Sequence, residues 1–393
     1  MVKYISLILG FLLITFNCFP QSENDKKNGF LEDLKIYKEI VETSHSGMYL
    51  YTPKSEFDEL FEQSIQKIET NQIKSNRDFH LLLSKIHTKI NCGHSSMYPS
   101  EKLFSTIEEN QKAFFPLQVK FIKDTLVVAS DFDYLKKGTQ ITKINNKSIK
   151  EITSDAFQII SSDGFNTTFK YRQLEEEFSL YLFLLYSIQE KFILETIPYQ
   201  SKESVKITID AASLNSDQVA AAEEERKATD LSYIDENTAL LTVNTFSTET
   251  KRNQKKFFKF LKRSFKEIRE KGIENLIIDI RENTGGDDGN DMELASYLIN
   301  KPFKENKFRK LNTNELPLFP DYLHPQWKQM IGISSNKSPE KIKNKLKKSI
   351  NHEFFLDKDG FYYYKEKNVI KRDPNKYLFS GETYILTSGK VFS

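Results

Sequence analysis

The hydrophobic pattern changes character twice along the chain, marking out three regions. From about residue 29 to 110, apolar residues recur at helical spacing: Phe30, Leu31, Leu34, Tyr37 and Ile40-Val41, then Phe57, Leu60-Phe61, Ile65 and Ile68, then Phe79, Leu82-Leu83 and Ile86. One apolar stripe held over several turns predicts amphipathic helices. Asp78 stands where an N-cap or first-turn acid belongs. The third helix is expected to break at Asn91-Cys92-Gly93-His94, with Gly93 as the cap or turn residue. From 111 to 212 alternation takes over. Leu117 to Phe121, Leu126 to Val128 and Val205 to Ile209 read as strands, and Leu135 to Lys147 reads as a turn, a strand and a tight turn at Asn145-Asn146. A helical, aromatic stretch at Phe178 to Phe192 interrupts them.

Residues 211–230 are Ala/Glu/Ser-rich and read as a linker or solvated helix. Beyond them, Ala239 to Val243 is a strand and Phe257 to Ile268 an amphipathic helix. Leu276 to Ile280 is continuously apolar, as in a strand buried beneath helices. Met292 to Ile299 predicts a helix and Thr383 to Thr387 a last strand. Residues 305–375 have no clear period and read as an insertion with a short β element at Phe354 to Tyr364. The fold class expected is therefore multidomain α/β: a helical domain at 29–110, a β domain at 111–212 and an α/β core at 231–393.

The N-terminus changes the picture of where the chain acts. Lys3, an apolar run from Tyr4 to Phe16 and a polar stretch from Gln21 predict a signal peptide over 1–20, too short to span a membrane. An exported protein is expected, whether periplasmic, outer-membrane-associated or extracellular, with no stable membrane span once the signal is removed. Cys18 as a lipid acceptor is the alternative, although Thr15-Phe16-Asn17 is a poor approach to a lipidated cysteine. The only other cysteine is Cys92, so a disulfide framework is excluded. The 57 basic and 55 acidic residues leave a net charge of +2, without the concentrated basic face that nucleic acid requires. The lysines at 255–256 and 345–348 sit at helical spacing and read as solvated faces. Six scattered histidines offer no paired ligand spacing, so neither metal nor cofactor is expected.

Three places could carry chemistry. Asp279-Ile280-Arg281-Glu282-Asn283-Thr284-Gly285-Gly286 runs from an apolar strand into a Gly-Gly turn. Such glycines let backbone N–H groups point at an oxyanion or a phosphate, or simply make a turn. No Gly-Lys-Ser/Thr follows, and the three spaced glycines of a dinucleotide loop are absent. Thr387-Ser388-Gly389-Lys390-Val391-Phe392-Ser393 takes a strand into a serine-bearing turn. Cys92-Gly93-His94-Ser95 sets a histidine in a glycine-containing turn. A cysteine thiol beside His94 is a further candidate nucleophile, but a lone cysteine is more often a small apolar residue. His45 competes as a base, within a segment that reads as a structural turn.

Taken in this order, the three motifs resemble those of the tail-specific (carboxyl-terminal processing) proteases, and more closely their tricorn-core branch. That family has a Leu-Ile-Ile-Asp-Leu-Arg-x-Asn-x-Gly-Gly type motif, matched by Leu276 to Gly286 with Thr284 where a third glycine is usual. Its Thr-Ser-x-x-x-Phe-Ser-Ala-Ala-Glu type motif is matched from Thr387 as far as Ser393. The Gly-His-Ser/Thr of the tricorn-like branch is matched by Gly93-His94-Ser95, and Gly138 to Lys147 resembles the strand-turn-strand of PDZ domains. The resemblance implies a PDZ-like middle domain and a ClpP/crotonase-like catalytic core, incomplete at its C-terminal end. It implies a serine peptidase acting on polypeptide, with Ser393 as nucleophile, His94 as general base and an amide of Gly285 or Gly286 as oxyanion donor. The processing-protease branch uses a downstream lysine as base instead. The family's oxyanion hole also takes the amide after the serine, and the sequence stops at Ser393, so the chain as written is expected to be inactive. Two other readings stay open: a non-catalytic binding protein of the same fold, kept alive by Thr284, and a crotonase-like acyl-CoA enzyme, in which the PDZ-like segment would have no role.

Overall fold

The computed structural model describes residues 23–109, 113–213, 227–315 and 338–391. The expected signal peptide at 1–20, with Cys18, lies outside them. The chain forms two compact units. One holds the chain up to Ala222 together with Leu311–His352 and Leu356–Tyr362, and the other holds the remainder.

The first unit begins with helices α1 (Glu23–Ser44), α2 (Lys54–Glu69), α3 (Asn76–His87) and α4 (Glu101–Glu109). The apolar stripes read from the sequence meet in one core of Phe30, Leu34, Tyr37, Ile40, Phe57, Phe61, Ile68, Phe79, Leu83 and Ile86. Each such side chain contributes about 1.5–3 kcal/mol on full burial. The start of α3 is set by a reciprocal cap. Ser75 Oγ accepts from the Asp78 amide at 3.1 Å, and Asp78 Oδ2 accepts from the Ser75 amide at 3.0 Å.

A six-stranded antiparallel sheet follows: β1 (Val119–Ile122), β2 (Thr125–Val128), β3 (Gln140–Ile144), β4 (Lys147–Ser148), β5 (Lys191–Ile197) and β6 (Val205–Asp210). Its order is β1-β2-β3-β5-β6, with β4 beside β3. The Asn145-Asn146 turn has φ of 48° and 68°, the doubly left-handed geometry that a two-residue hairpin needs. Helices α5 (Ile149–Phe157), α6 (Thr167–Glu176) and α7 (Phe178–Tyr186) join in covering the sheet. The expected aromatic helix stops at Tyr186, and Phe192 instead lies in β5, buried against Phe115 with ring centroids 5.2 Å apart.

The second unit is built on β7 (Thr229–Tyr233), β8 (Thr238–Val243), α8 (Lys251–Glu270), β9 (Asn275–Asp279), α9 (Asn290–Ala295) and β10 (Glu382–Leu386). The sheet order is β10-β9-β8-β7, with β8, β9 and β10 mutually parallel and β7 antiparallel at one edge. Phe257, Leu261, Phe265 and Ile268 on one side of α8 pack with Leu241, Leu276, Ile278 and Tyr297. β10 is the other edge strand and is exposed along its length. β7 includes Thr229 and Asp230, inside the stretch expected to be a linker, because it is an edge strand on which no residue is fully buried. The insertion also holds a helix, Pro339–Glu353, where no period was expected. Its buried apolar residues are Ile342 and Ile350, too sparse to stand out among the lysines. Among the described residues, no helix is long and apolar enough to cross a membrane.

Removal of the α3 cap offers a local test of the first unit. Ser75→Ala is expected to lower its unfolding free energy by ~1 kcal/mol, read as a shift in the urea midpoint by circular dichroism.

Candidate functional site

In the second unit the site is assembled by register. Thr242 of β8 pairs with Asp279 of β9, and Asp279 pairs with Leu386 of β10, so three parallel strands end at the same edge. Their carboxyl ends are where open α/β sheets bind ligands. β9 leaves the sheet through a turn fixed from both sides. Asp279 holds the Arg281 guanidinium in two hydrogen bonds of 2.9 and 2.7 Å, which keeps the Asp279 carboxyl below its ordinary range. Asn283 is fully buried. Its Nδ2 donates to the Val243 carbonyl at the end of β8 (3.0 Å), and its Oδ1 accepts from the Gly285 amide (2.9 Å).

The Gly-Gly turn then lies along the segment after β8. The Phe246 amide donates to the Gly285 carbonyl at 3.0 Å, and the Asp287 amide donates to the Phe246 carbonyl at 3.2 Å. In such a parallel bridge the flanking residues supply the bonds, so the N–H of Gly286 turns away from Phe246. Gly285 and Gly286 have φ of 103° and 152°. A Cβ on Gly286 would stand 2.1 Å from the Ser247 nitrogen, so only glycine fits. Of the two amides expected as oxyanion donors, that of Gly285 is already committed to Asn283, and no acceptor for the Gly286 amide is found among the described residues. Thr284, where the motif departs from the usual glycine, is exposed and is not among the positive-φ residues, so the departure brings no backbone strain.

The serine-bearing motif is tied to the same edge. The Ile280 amide donates to the Leu386 carbonyl at 3.0 Å, and Ser388 Oγ donates to the Arg281 carbonyl. Ser388 also closes its own turn, accepting from the Lys390 amide at its hydroxyl and from the Val391 amide at its carbonyl. Ser393 lies outside the described residues.

His94 belongs to the first unit. After α3 a short 3-10 turn, Thr88–Ile90, ends on Asn91 at φ 53°. Asn91, not Gly93, takes the left-handed cap, because its Nδ2 reaches the Lys89 carbonyl at 3.1 Å and steadies that conformation. Gly93 instead donates its amide to Asp163 Oδ1 at 2.7 Å, and the Ser95 amide closes onto the Cys92 carbonyl at 3.2 Å. Below the turn runs a buried chain of hydrogen bonds. Ser95 Oγ meets His87 Nε2 at 2.7 Å, and His87 Nδ1 meets the Tyr37 hydroxyl at 2.9 Å. Burial pushes His87 down to about 4, so this imidazole is neutral and anchors the turn instead of exchanging protons. His94 itself is half-buried. Burial also pushes the Cys92 thiol up, which disfavours the thiolate a cysteine nucleophile needs. His45 lies in a backbone turn, its amide bonded to the Val41 carbonyl and its carbonyl to the Met48 amide.

Sequence reasoning attached no role to Asn283, His87 or Tyr37. Asn283 stood inside the quoted motif as a polar residue just beyond an apolar strand, which was the available signal. Nothing local marks His87, because its partners are 8 and 50 residues away in sequence.

Comparison with known proteins adds the following. Residues 237–393 match the family model described as Peptidase family S41. No curated protein matches the chain in sequence. Among solved structures, mature CPAF complexed with lactacystin is similar with a TM-score of 0.54 and 12% identity, over 92% of this chain and 79% of that one. A CPAF mutant gives a TM-score of 0.55 at 11% identity, over 93% and 79%. At such identity the likeness concerns the fold.

Two outcomes check this geometry. Asn283→Ala strands the Val243 carbonyl and the Gly285 amide in a buried site, and should cost about 2–4 kcal/mol in urea unfolding of the second unit. His80 and His87 are both held neutral with values near 4 against 6.5 when unfolded. Between those values the unfolded chain binds protons that the folded chain refuses, so stability present above 6.5 is lost as pH falls toward 4. His87→Gln should therefore lose about 2 kcal/mol less than wild type on going from pH 7 to pH 5, measured by urea midpoints at both pH values.

Proposed function

We propose, from the match of residues 237–393 to peptidase family S41, that the chain is a serine peptidase hydrolysing peptide bonds of exported polypeptides, with Ser393 as nucleophile and His94 as general base. One observation carries the reading. The Gly286 amide turns away from Phe246 and β8, and the sheet order puts β10, the strand that leads toward Ser393, on the other side of β9. An amide with no acceptor among the described residues, next to the strand exit that precedes a serine, is the arrangement acyl transfer calls for.

The chemistry then runs in four steps. Ser393 Oγ attacks the scissile carbonyl while the His94 imidazole takes its proton. The Gly286 amide donates to the oxyanion, in the role sequence reasoning divided between Gly285 and Gly286. His94 returns the proton to the departing amine. Water repeats the sequence on the acyl-enzyme and frees the product. Asp279, Arg281 and Asn283 take no proton; they hold the turn so that Gly286 need not reorganise as charge develops. The signal-like N-terminus supports an exported substrate.

The test uses the full-length protein and a fluorophosphonate probe. Labelling should fall on Ser393 and vanish in Ser393→Ala, together with cleavage of unfolded polypeptide. His94→Gln should slow both by ~10²–10⁴-fold. A labelled wild type with undiminished His94→Gln moves the base elsewhere, as in the serine-lysine arrangement. No labelling in any form leaves the non-catalytic binding protein.

A further inference from the structure

The turn that carries His94 also sets that histidine beside two groups, Cys92 and Asp163, which the hydrolytic reading does not use. Cys92, His94 and Asp163 each offer one ligand atom, and these atoms all lie within 4.8 Å of one another. Cys92 and His94 come from the turn after α3, and Asp163 from the loop between α5 and α6. Two hydrogen bonds pin these segments together: Gly93 amide to Asp163 Oδ1 at 2.7 Å, and Gly164 amide to the Asn91 carbonyl at 2.9 Å. Asp163 retains a second carboxylate oxygen beyond the one that meets Gly93. We propose that this cluster binds a zinc ion through Cys92 Sγ, an imidazole nitrogen of His94 and a carboxylate oxygen of Asp163, with water in the fourth position.

Geometry and donor chemistry both favour this assignment. Zinc takes sulfur at ~2.3 Å and nitrogen or oxygen at ~2.0–2.2 Å, so ligand atoms on a tetrahedron stand ~3.3–3.8 Å apart. Closing from the observed spread needs about 1 Å of side-chain movement, which rotamers of Cys92 and Asp163 on surface turns can supply. One thiolate, one imidazole and one carboxylate suit zinc, whereas magnesium and calcium call for oxygen donors alone. Cys92 is half-buried and Asp163 exposed, so the cluster is open to solvent on one side.

The consequence concerns regulation, and this part rests on the reading of His94 as general base. A nitrogen lone pair bound to zinc cannot take the proton of Ser393. The ion would hold the enzyme silent, and a chelator or a zinc-poor compartment would release it. No bond in the protein is made or broken beyond ligand exchange: the thiol proton leaves to solvent as the metal binds.

Cobalt(II) titration of the full chain tests the site independently of activity. One equivalent should produce a thiolate-to-cobalt charge-transfer band, and zinc should displace it at equal stoichiometry. Loss of an outer partner of a zinc ligand weakens binding by ~10–100-fold, so loss of a ligand should weaken it by at least that. Cys92→Ser should abolish the band. Asp163→Asn keeps an acceptor for the Gly93 amide while losing the charge, and should weaken zinc by more than ~10-fold without altering the circular dichroism. No band in the folded wild type, or zinc affinity unchanged in both variants, overturns the proposal. Fluorophosphonate labelling of the full-length protein, with and without zinc, separates the two readings. Slower labelling with zinc supports the inhibitory site. A cobalt band with labelling that zinc leaves unchanged overturns the inhibition. A cobalt band with no labelling under any condition keeps the metal site and removes the peptidase reading.

Discussion

The parallel alignment of β8, β9 and β10 is the constraint from which the candidate site in the second unit follows. Because Thr242, Asp279 and Leu386 stand level, the chain segments beyond them must emerge together, and each has to find partners outside the sheet. Asn283 meets that need for two of them with one side chain: it satisfies the last carbonyl of β8 and the amide of Gly285, which could otherwise point into the site. Ser388 ties the third segment to Arg281. A buried amide side chain is costly unless both its ends are bonded, so its full satisfaction here also fixes the direction in which Gly286 faces.

The same economy of polar groups governs the turn around His94. The histidine is carried on a short loop, and a loop of small polar residues does not hold a ring in place by packing. Ser95 reaches down to His87, and His87 to Tyr37, in the middle of a hydrophobic helical core. Keeping His87 neutral is what makes this acceptable: a charged imidazole at that depth would lack a counter-ion, whereas a neutral one needs one donor and one acceptor and has two hydroxyls to choose from. Gly93 and Asp163 add a tether on the outer side. Asp163, which holds the turn from outside, is thus also one of the groups that could bind a metal.

Much of this was legible in the order of residues. The helical stripes of α1 to α3, the first-turn acid Asp78, the alternation of the antiparallel sheet, the Asn145-Asn146 turn and the apolar run of β9 are local patterns, and local patterns follow from side-chain period and turn chemistry. The Gly-Gly turn and the serine-bearing turn were recognisable because each stands directly after such a strand. Two readings were refined for a physical reason that is equally local. Asn91 takes the left-handed cap because an amide side chain can stabilise that conformation by bonding its own turn, and Gly93 keeps the turn role read for it. The helix Pro339–Glu353 was legible only as a solvated lysine face because its buried apolar residues are two isoleucines.

By itself, then, the sequence determined the main helical stripes and the apolar strands, which turns carry glycine, serine and histidine, and which chemistry those residue types could support. It could not determine which of two adjacent glycine amides is committed to a partner, since that depends on Asn283 reaching a carbonyl 40 residues earlier. Nor could it join Ser95 to Tyr37 through His87, or bring Asp163 to Cys92 and His94. Hydrogen bonds and ligand sets are decided by distances in space, and those distances exist only once sheet register and helix packing have brought remote segments together.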